Sequence, residues 1–224
     1  MCAVADRAEL PGGLCPQSLT AQACRHGFYV KGVTLITQFI RQAWGTVTLA
    51  VKGINREQLQ TMITESGIAL DISCDNTPRQ QVIGGTQAAL NEFATLLMAA
   101  GYEPVKLGVS GAWHTRLMED GVQAMRDYLA GLDIASPEHQ VLMNVTAKSE
   151  VAPSIIKENL LLHLTHTVKW TESFDTFLNM PTPVAFLEIS NKPYLGNMLN
   201  DFAGVDQQRV MHCRKAFSDA KVFK

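Results

Sequence analysis

The chain has 224 residues, 46% of them hydrophobic and 18% charged, a composition that supports a sizeable core of ordinary globular type. Its formal net charge of -2 supplies no basic surface for nucleic acid or anionic lipid, and no apolar run approaches the roughly 20 residues that span a bilayer. Met1 to Arg7 carry two charges and no long apolar stretch, which argues against a secretory signal, and five scattered cysteines without a CxxC pair fit reduced thiols in a cytoplasm, with the mitochondrial matrix as the alternative.

In chain order, Pro11-Gly12-Gly13 and Cys15-Pro16 break regular structure over residues 1–27. Phe28 to Trp44 reads as an amphipathic helix with Val33, Ile36, Ile40 and Ala43 on one face. Val47 to Val51 is β-branched and strand-like. Asn55 is a helix N-cap, and that helix runs through Glu65 until Gly67 ends it. Ile68 to Ser73 and Gln81 to Ile83 read as strands, the second closed by Gly84-Gly85. Gln87 to Ala100 is a helix stopped by Gly101, and Val105 to Val109 is a fourth strand. The order βαββαβ predicts a ferredoxin-like layer, an antiparallel sheet backed by two helices.

Beyond His114 the pattern changes. A helix is expected over Leu117 to Leu132, a strand over Val141 to Val145, and one or two helices over Ala152 to Asn179, with Pro153 suited to a first turn. Val184 to Ile189 is apolar without alternation and reads as a buried strand, followed by a helix over Tyr194 to Phe202. Strands alternating with helices predict part of a parallel sheet.

Val105 to Met118 carries the most chemistry: a short strand, Ser110-Gly111, then Trp113-His114 opening a helix. A histidine at a strand-to-helix mouth can reach a substrate as a general base, or simply hydrogen-bond to backbone there. Four pieces in order resemble the malonyl-CoA:acyl-carrier-protein transacylases, the acyltransferases of fatty-acid and polyketide synthesis. These are Asp75-Asn76-Thr77-Pro78-Arg79-Gln80-Gln81-Val82-Ile83-Gly84-Gly85, Val109 to Met118, Met143-Asn144-Val145-Thr146, and His163-Leu164-Thr165-His166-Thr167-Val168-Lys169-Trp170.

The resemblance implies an α/β fold: a partial α/β-hydrolase-like core, residues 1–45 and 112–224, holding an inserted ferredoxin-like βαββαβ subdomain, residues 46–111. It implies an acyl group passed from CoA to the phosphopantetheine thiol of an acyl carrier protein, with acyl-CoA as substrate and no bound metal or redox cofactor. His114 takes the family histidine's place as general base. Asn76 and Gln80 match polar positions near the site, where turn chemistry is the competing explanation. His163 stands where the family has a glutamine whose carbonyl orients the histidine. Two histidines at i, i+3, His163 and His166, are poor evidence for a metal without a carboxylate beside them.

Departures from the pattern are equally plain. No G-x-S-x-G motif exists in the chain. Family spacing points to Gly13 to Leu19, where Cys15 and Ser18 are the candidate nucleophiles and Pro16 has no N–H for an oxyanion. Phe39 occupies the family arginine's position. Arg41, the nearest candidate for a malonyl carboxylate, lies two residues on and so faces another direction at about 100° per residue. Glu188-Ile189-Ser190-Asn191-Lys192 replaces the family's E-I/V-G-P-G segment. The family's first strands have no counterpart, which calls for a second chain completing the core or for residues 1–27 to shield it. Two alternatives therefore stand beside acyl transfer: an inactive chain that binds carrier protein or CoA, and an acyl-thioester hydrolase.

Overall fold

The computed structural model describes residues 45–109, 111–190 and 192–214. The helix expected over 28–44, and with it Cys15, Ser18, Phe39 and Arg41, lies outside the described residues.

The first layer forms as its residue pattern dictates. Strand β1 (Thr46–Lys52) leads to helix α1 (Arg56–Ser66), which Asn55 starts with both arms of a capping box. The Asn55 side chain accepts from the Gln58 amide at 2.8 Å, and Gln58 Oε1 accepts from the Asn55 amide at 3.3 Å. Gly67 ends α1 at φ 67°, the left-handed conformation that glycine takes without penalty. Strands β2 (Asp71–Thr77) and β3 (Gln80–Thr86) form a hairpin, and helix α2 (Gln87–Ala99) follows, capped by Thr86. A two-residue strand, β4 (Val105–Lys106), closes the unit. The sheet runs β4-β1-β3-β2, antiparallel at each of these contacts, which is consistent with the ferredoxin-like layer. Leu59 and Ile63 at i, i+4 and Leu90, Phe93 and Leu97 at i, i+3, i+7 are buried in one core with Leu49, Val51, Ile72 and Ile83.

The second half is more broken than its apolar pattern predicts. Instead of one helix from Leu117, a 3-10 segment (Arg116–Gly121) precedes helix α3 (Val122–Ala130). Thr115 explains the tighter start, since its hydroxyl caps the Leu117 amide at 3.3 Å. Strand β5 is limited to Val141–Leu142 because the chain then turns back onto β6 (Ser149–Glu150), with the Ala147 amide donating to Met143 O at 2.8 Å. The long helical stretch resolves into α4 (Pro153–Leu162) and α5 (Trp170–Leu178). Between them β7 (Val168–Lys169) adds to the first sheet, parallel to β2. Stacked Trp170 and Phe174, with Leu199 and Phe202, form a second core.

The strand expected as buried over Val184 to Ile189 is corrected. Strand β8 spans Phe186–Glu188 and pairs in parallel with β9 (Val210–His212). Leu187 is 39% exposed and Ile189 69%, whereas the polar Glu188 is 8% exposed. Its carboxylate accepts from the Leu195 and Gly196 amides at 3.1 and 2.8 Å, fastening the short helix α6 (Tyr194–Met198) to β8. A mostly apolar run thus conceals an alternating strand whose inward residue is its one acid. Among the described residues no helix is long and apolar enough to cross a membrane.

One close approach links the first layer to the histidine segment. A Cβ on Gly84 would lie 2.7 Å from Thr115 Cγ2 and 3.2 Å from Ala112 Cβ, so Gly84 lets the segment before α3 lie against β1 and β3. Gly84→Ala is expected to cost about 1–3 kcal/mol by overpacking, read as a lower urea midpoint. An unchanged midpoint would show that the segment yields freely.

Candidate active site

The segment between β4 and the 3-10 turn is pinned at several points. The Leu107 amide donates to Thr48 O at 3.1 Å, and the Ala112 amide to Thr46 Oγ1 at 3.0 Å. Thr115 is fully buried and its hydroxyl donates to Ala112 O at 2.6 Å. The Arg116 amide donates to Asp71 Oδ2 at 3.0 Å, and the Arg116 guanidinium pairs with Asp71 Oδ1. These contacts leave His114 at the top of a tight turn with φ 64°. A non-glycine residue in the left-handed region carries strain of order 1–3 kcal/mol, and such strain concentrates at functional sites.

The strain is balanced by helix α4. The turn that follows its last residue, Leu162, presents two carbonyls that accept from His114. The His114 amide donates to Leu164 O at 3.0 Å, and Nδ1–H donates to His163 O at 2.6 Å. A carbonyl can only accept, so the proton of the neutral ring sits on Nδ1 and the lone pair on Nε2. That is the tautomer a general base needs, oriented by a backbone acceptor. Burial lowers the His114 pKa from the ordinary imidazole value, and the bond to the His163 carbonyl raises it less. The ring is therefore neutral at neutral pH, with Nε2 free to accept a proton.

His163 is more than a backbone carbonyl. Its ring lies 4.4 Å, centroid to centroid, from that of His114, tilted by 38°. Its Nε2 is 3.3 Å from the Asn144 amide nitrogen. Burial first, and the adjacent His114 second, push its pKa down to about 3. Asn144 is held in turn by its own carbonyl, which accepts from the Lys169 amide at 2.8 Å. His114, His163 and Asn144 thus come from three separate stretches of chain. Met118 and Leu164 are buried beside them, with Trp113 packed on the same cluster.

The other expected positions lie on the β2–β3 hairpin. Asn76 is buried at the bulge of β2, and Gln80 is the first residue of β3, paired with Lys52 and Thr77. Gln80 stands four strand residues, about 13 Å, from Gly84, where the histidine segment touches the sheet. The hairpin end is locked by Gln81 Nε2 donating to Asp75 Oδ1 and Thr77 O, both at 2.9 Å. His166 Nδ1 lies 3.1 Å from Leu162 O and 2.9 Å from Thr165 Oγ1, partners that do not include His163. Among the described residues no cluster of three or more His, Cys, Asp or Glu could hold a metal ion. Sequence reasoning missed Asn144 as a site residue, although the Met143-Asn144-Val145-Thr146 motif was its visible signal.

No protein-family model matches the chain. The uncharacterized protein YmdE of Escherichia coli strain K12 is 98% identical over 107 residues, which is 48% of this chain and all of that protein. The polyketide biosynthesis malonyl CoA-acyl carrier protein transacylase PksC of Bacillus subtilis is 32% identical over 127 residues, 55% of this chain and 44% of PksC. A solved malonyl CoA-acyl carrier protein transacylase from Clostridium perfringens superposes with a TM-score of 0.75 at 20% identity, covering 91% of this chain and 68% of that one. The chain spans about half the length of the curated transacylases it matches. Its relatives and structural neighbours are malonyl-CoA:acyl carrier protein transacylases and polyketide-synthase acyltransferase domains, and its mixed α/β fold is theirs.

Proposed function

We propose that this chain, a homologue of the malonyl-CoA:acyl carrier protein transacylases, transfers a malonyl or other acyl group from CoA to the phosphopantetheine thiol of an acyl carrier protein, with His114 as general base. One observation carries the reading: a strained, half-buried His114 whose Nδ1–H is tied to the carbonyl that ends helix α4, leaving Nε2 to accept a proton. In the proposed reaction a hydroxyl or thiol of the enzyme attacks the acyl-CoA carbonyl and gives its proton to His114 Nε2. The CoA thiolate leaves and takes that proton. The carrier thiol then passes its proton to His114, attacks the acyl-enzyme and frees the nucleophile, which takes the proton back. Cys15 and Ser18 are the candidate nucleophiles, and Arg41 is the candidate partner of a malonyl carboxylate. Asn76, Gln80 and His163 are the remaining candidates for substrate binding.

The same reading divides the chain into an acyltransferase core, residues 1–45 and 112–224, and a small subdomain, residues 46–111. It places the protein with its CoA and carrier-protein substrates in the cytoplasm, or else in the mitochondrial matrix. A second chain completing the core is a further partner in this reading.

The test is the intact mass of the full chain after incubation with malonyl-CoA and with acetyl-CoA, followed by peptide mapping. An adduct on Cys15 or Ser18 is the expected result. A folded sample with no adduct would overturn acyl transfer in favour of a non-catalytic chain that binds carrier protein or CoA. The missing G-x-S-x-G motif is what makes that outcome informative.

A further inference from the structure

Two imidazoles in ring contact within one site raise a question the fold must answer: which of them takes the proton? Asn144 supplies the answer. An amide nitrogen carries hydrogens and no lone pair, so the 3.3 Å contact from Asn144 Nδ2 requires His163 Nε2 to be the acceptor. The hydrogen of the His163 ring then sits on Nδ1. His114 has the same tautomer for a different reason, the His163 carbonyl at its own Nδ1. One Nε2 lone pair is therefore engaged by Asn144, and the other is the basic nitrogen of the site.

We propose that Asn144 and His163 form a positioning pair, in which the Asn144 amide locks His163 in the Nδ1–H tautomer so that its ring supports His114 without competing for the proton. Charged and titratable side chains on the flanking segments have partners of their own. On the following turn Arg116 is engaged by Asp71. In the turn after α4, His166 bonds to Thr165 and to Leu162 O. Beyond Asn144, Lys169 is paired with Glu172 at 3.2 Å. Burial and the neighbouring His114 act in the same direction, keeping the His163 ring uncharged.

The role of His114 as base rests on the reading above, but the tautomer lock is measured without any acyl group. Long-range 1H–15N spectra of the full chain are expected to show His163 with Nδ1 protonated and Nε2 bare across the neutral range. In Asn144→Asp, a near-isosteric change, a carboxylate replaces the amide and accepts a hydrogen from Nε2. The His163 midpoint is then expected to rise by roughly 1–3 pH units, and the charge it gains should lower the His114 midpoint. A purely structural role would not move the two midpoints in opposite directions. A native His163 protonated at Nε2, or an Asn144→Asp chain in which neither midpoint shifts, would overturn the lock. Loss of acylation with the spectra as expected would overturn only the acyl-transfer reading.

Discussion

His114→Asn is expected to lower acyl transfer by on the order of 100- to 10,000-fold, the usual contribution of a positioned general base. Asparagine is the informative replacement because position 114 has φ 64°, and among non-glycine residues asparagine tolerates that region best. Its side-chain amide can still donate toward the His163 carbonyl that now holds Nδ1. The urea midpoint should therefore stay close to that of the parent chain while the rate collapses. The pH profile of the residual activity separates the two nucleophile candidates. A serine hydroxyl without its base stays inactive as the pH rises. A cysteine forms thiolate unaided near its ordinary pKa of about 8.5, so activity should return in part. An unchanged rate in a folded His114→Asn chain would remove His114 from the chemistry.

The reasons some of this was legible in the sequence, and some not, are physical. Asn55 with Gln58, and the spacing of Leu90, Phe93 and Leu97, act within one helix, so their roles are readable from adjacent residues. The first five elements of the βαββαβ order are written in runs long enough to show their period. Strands β7 and β9 are two and three residues long, too short for any period to register. Val184 to Ile189 misled because apolar residues on both faces look the same whether one face is covered or neither. Gly84 reads as a strand-ending glycine, and nothing local reveals that Thr115, 31 positions later, needs the space. His114 was identified through its motif. Its positive φ was hidden, since the conformation is imposed by Leu164 and His163 from the turn after α4. Asn144 belongs to the same class: its partner is 19 residues away and is visible only once α4 is in place.

Acid should destabilise this protein in part through His163, and His163→Gln should remove that share of the sensitivity. The ring titrates at about 3 in the folded chain against 6.5 for an ordinary imidazole. Between those two values the unfolded chain binds a proton that the folded chain refuses. Stability is therefore unaffected by this group above about pH 6.5, falls steadily as the pH drops toward 3, and is constant below that. At about 1.4 kcal/mol per pH unit, the loss between pH 7 and pH 4 is on the order of 3 kcal/mol, a large share of the roughly 5–15 kcal/mol that holds a domain folded. Glutamine keeps the backbone carbonyl that accepts from His114 Nδ1, because that contact does not use the side chain. It cannot titrate, and it can still meet the Asn144 amide through its own oxygen. Urea midpoints at pH 7 and pH 4 for both chains decide the matter. At pH 7 the variant loses the ring contact and should be somewhat less stable than the parent. At pH 4 the order should narrow or reverse. Parallel losses in the two chains would mean that His163 does not stay neutral against acid, and the pairing with Asn144 would then hold no proton in place.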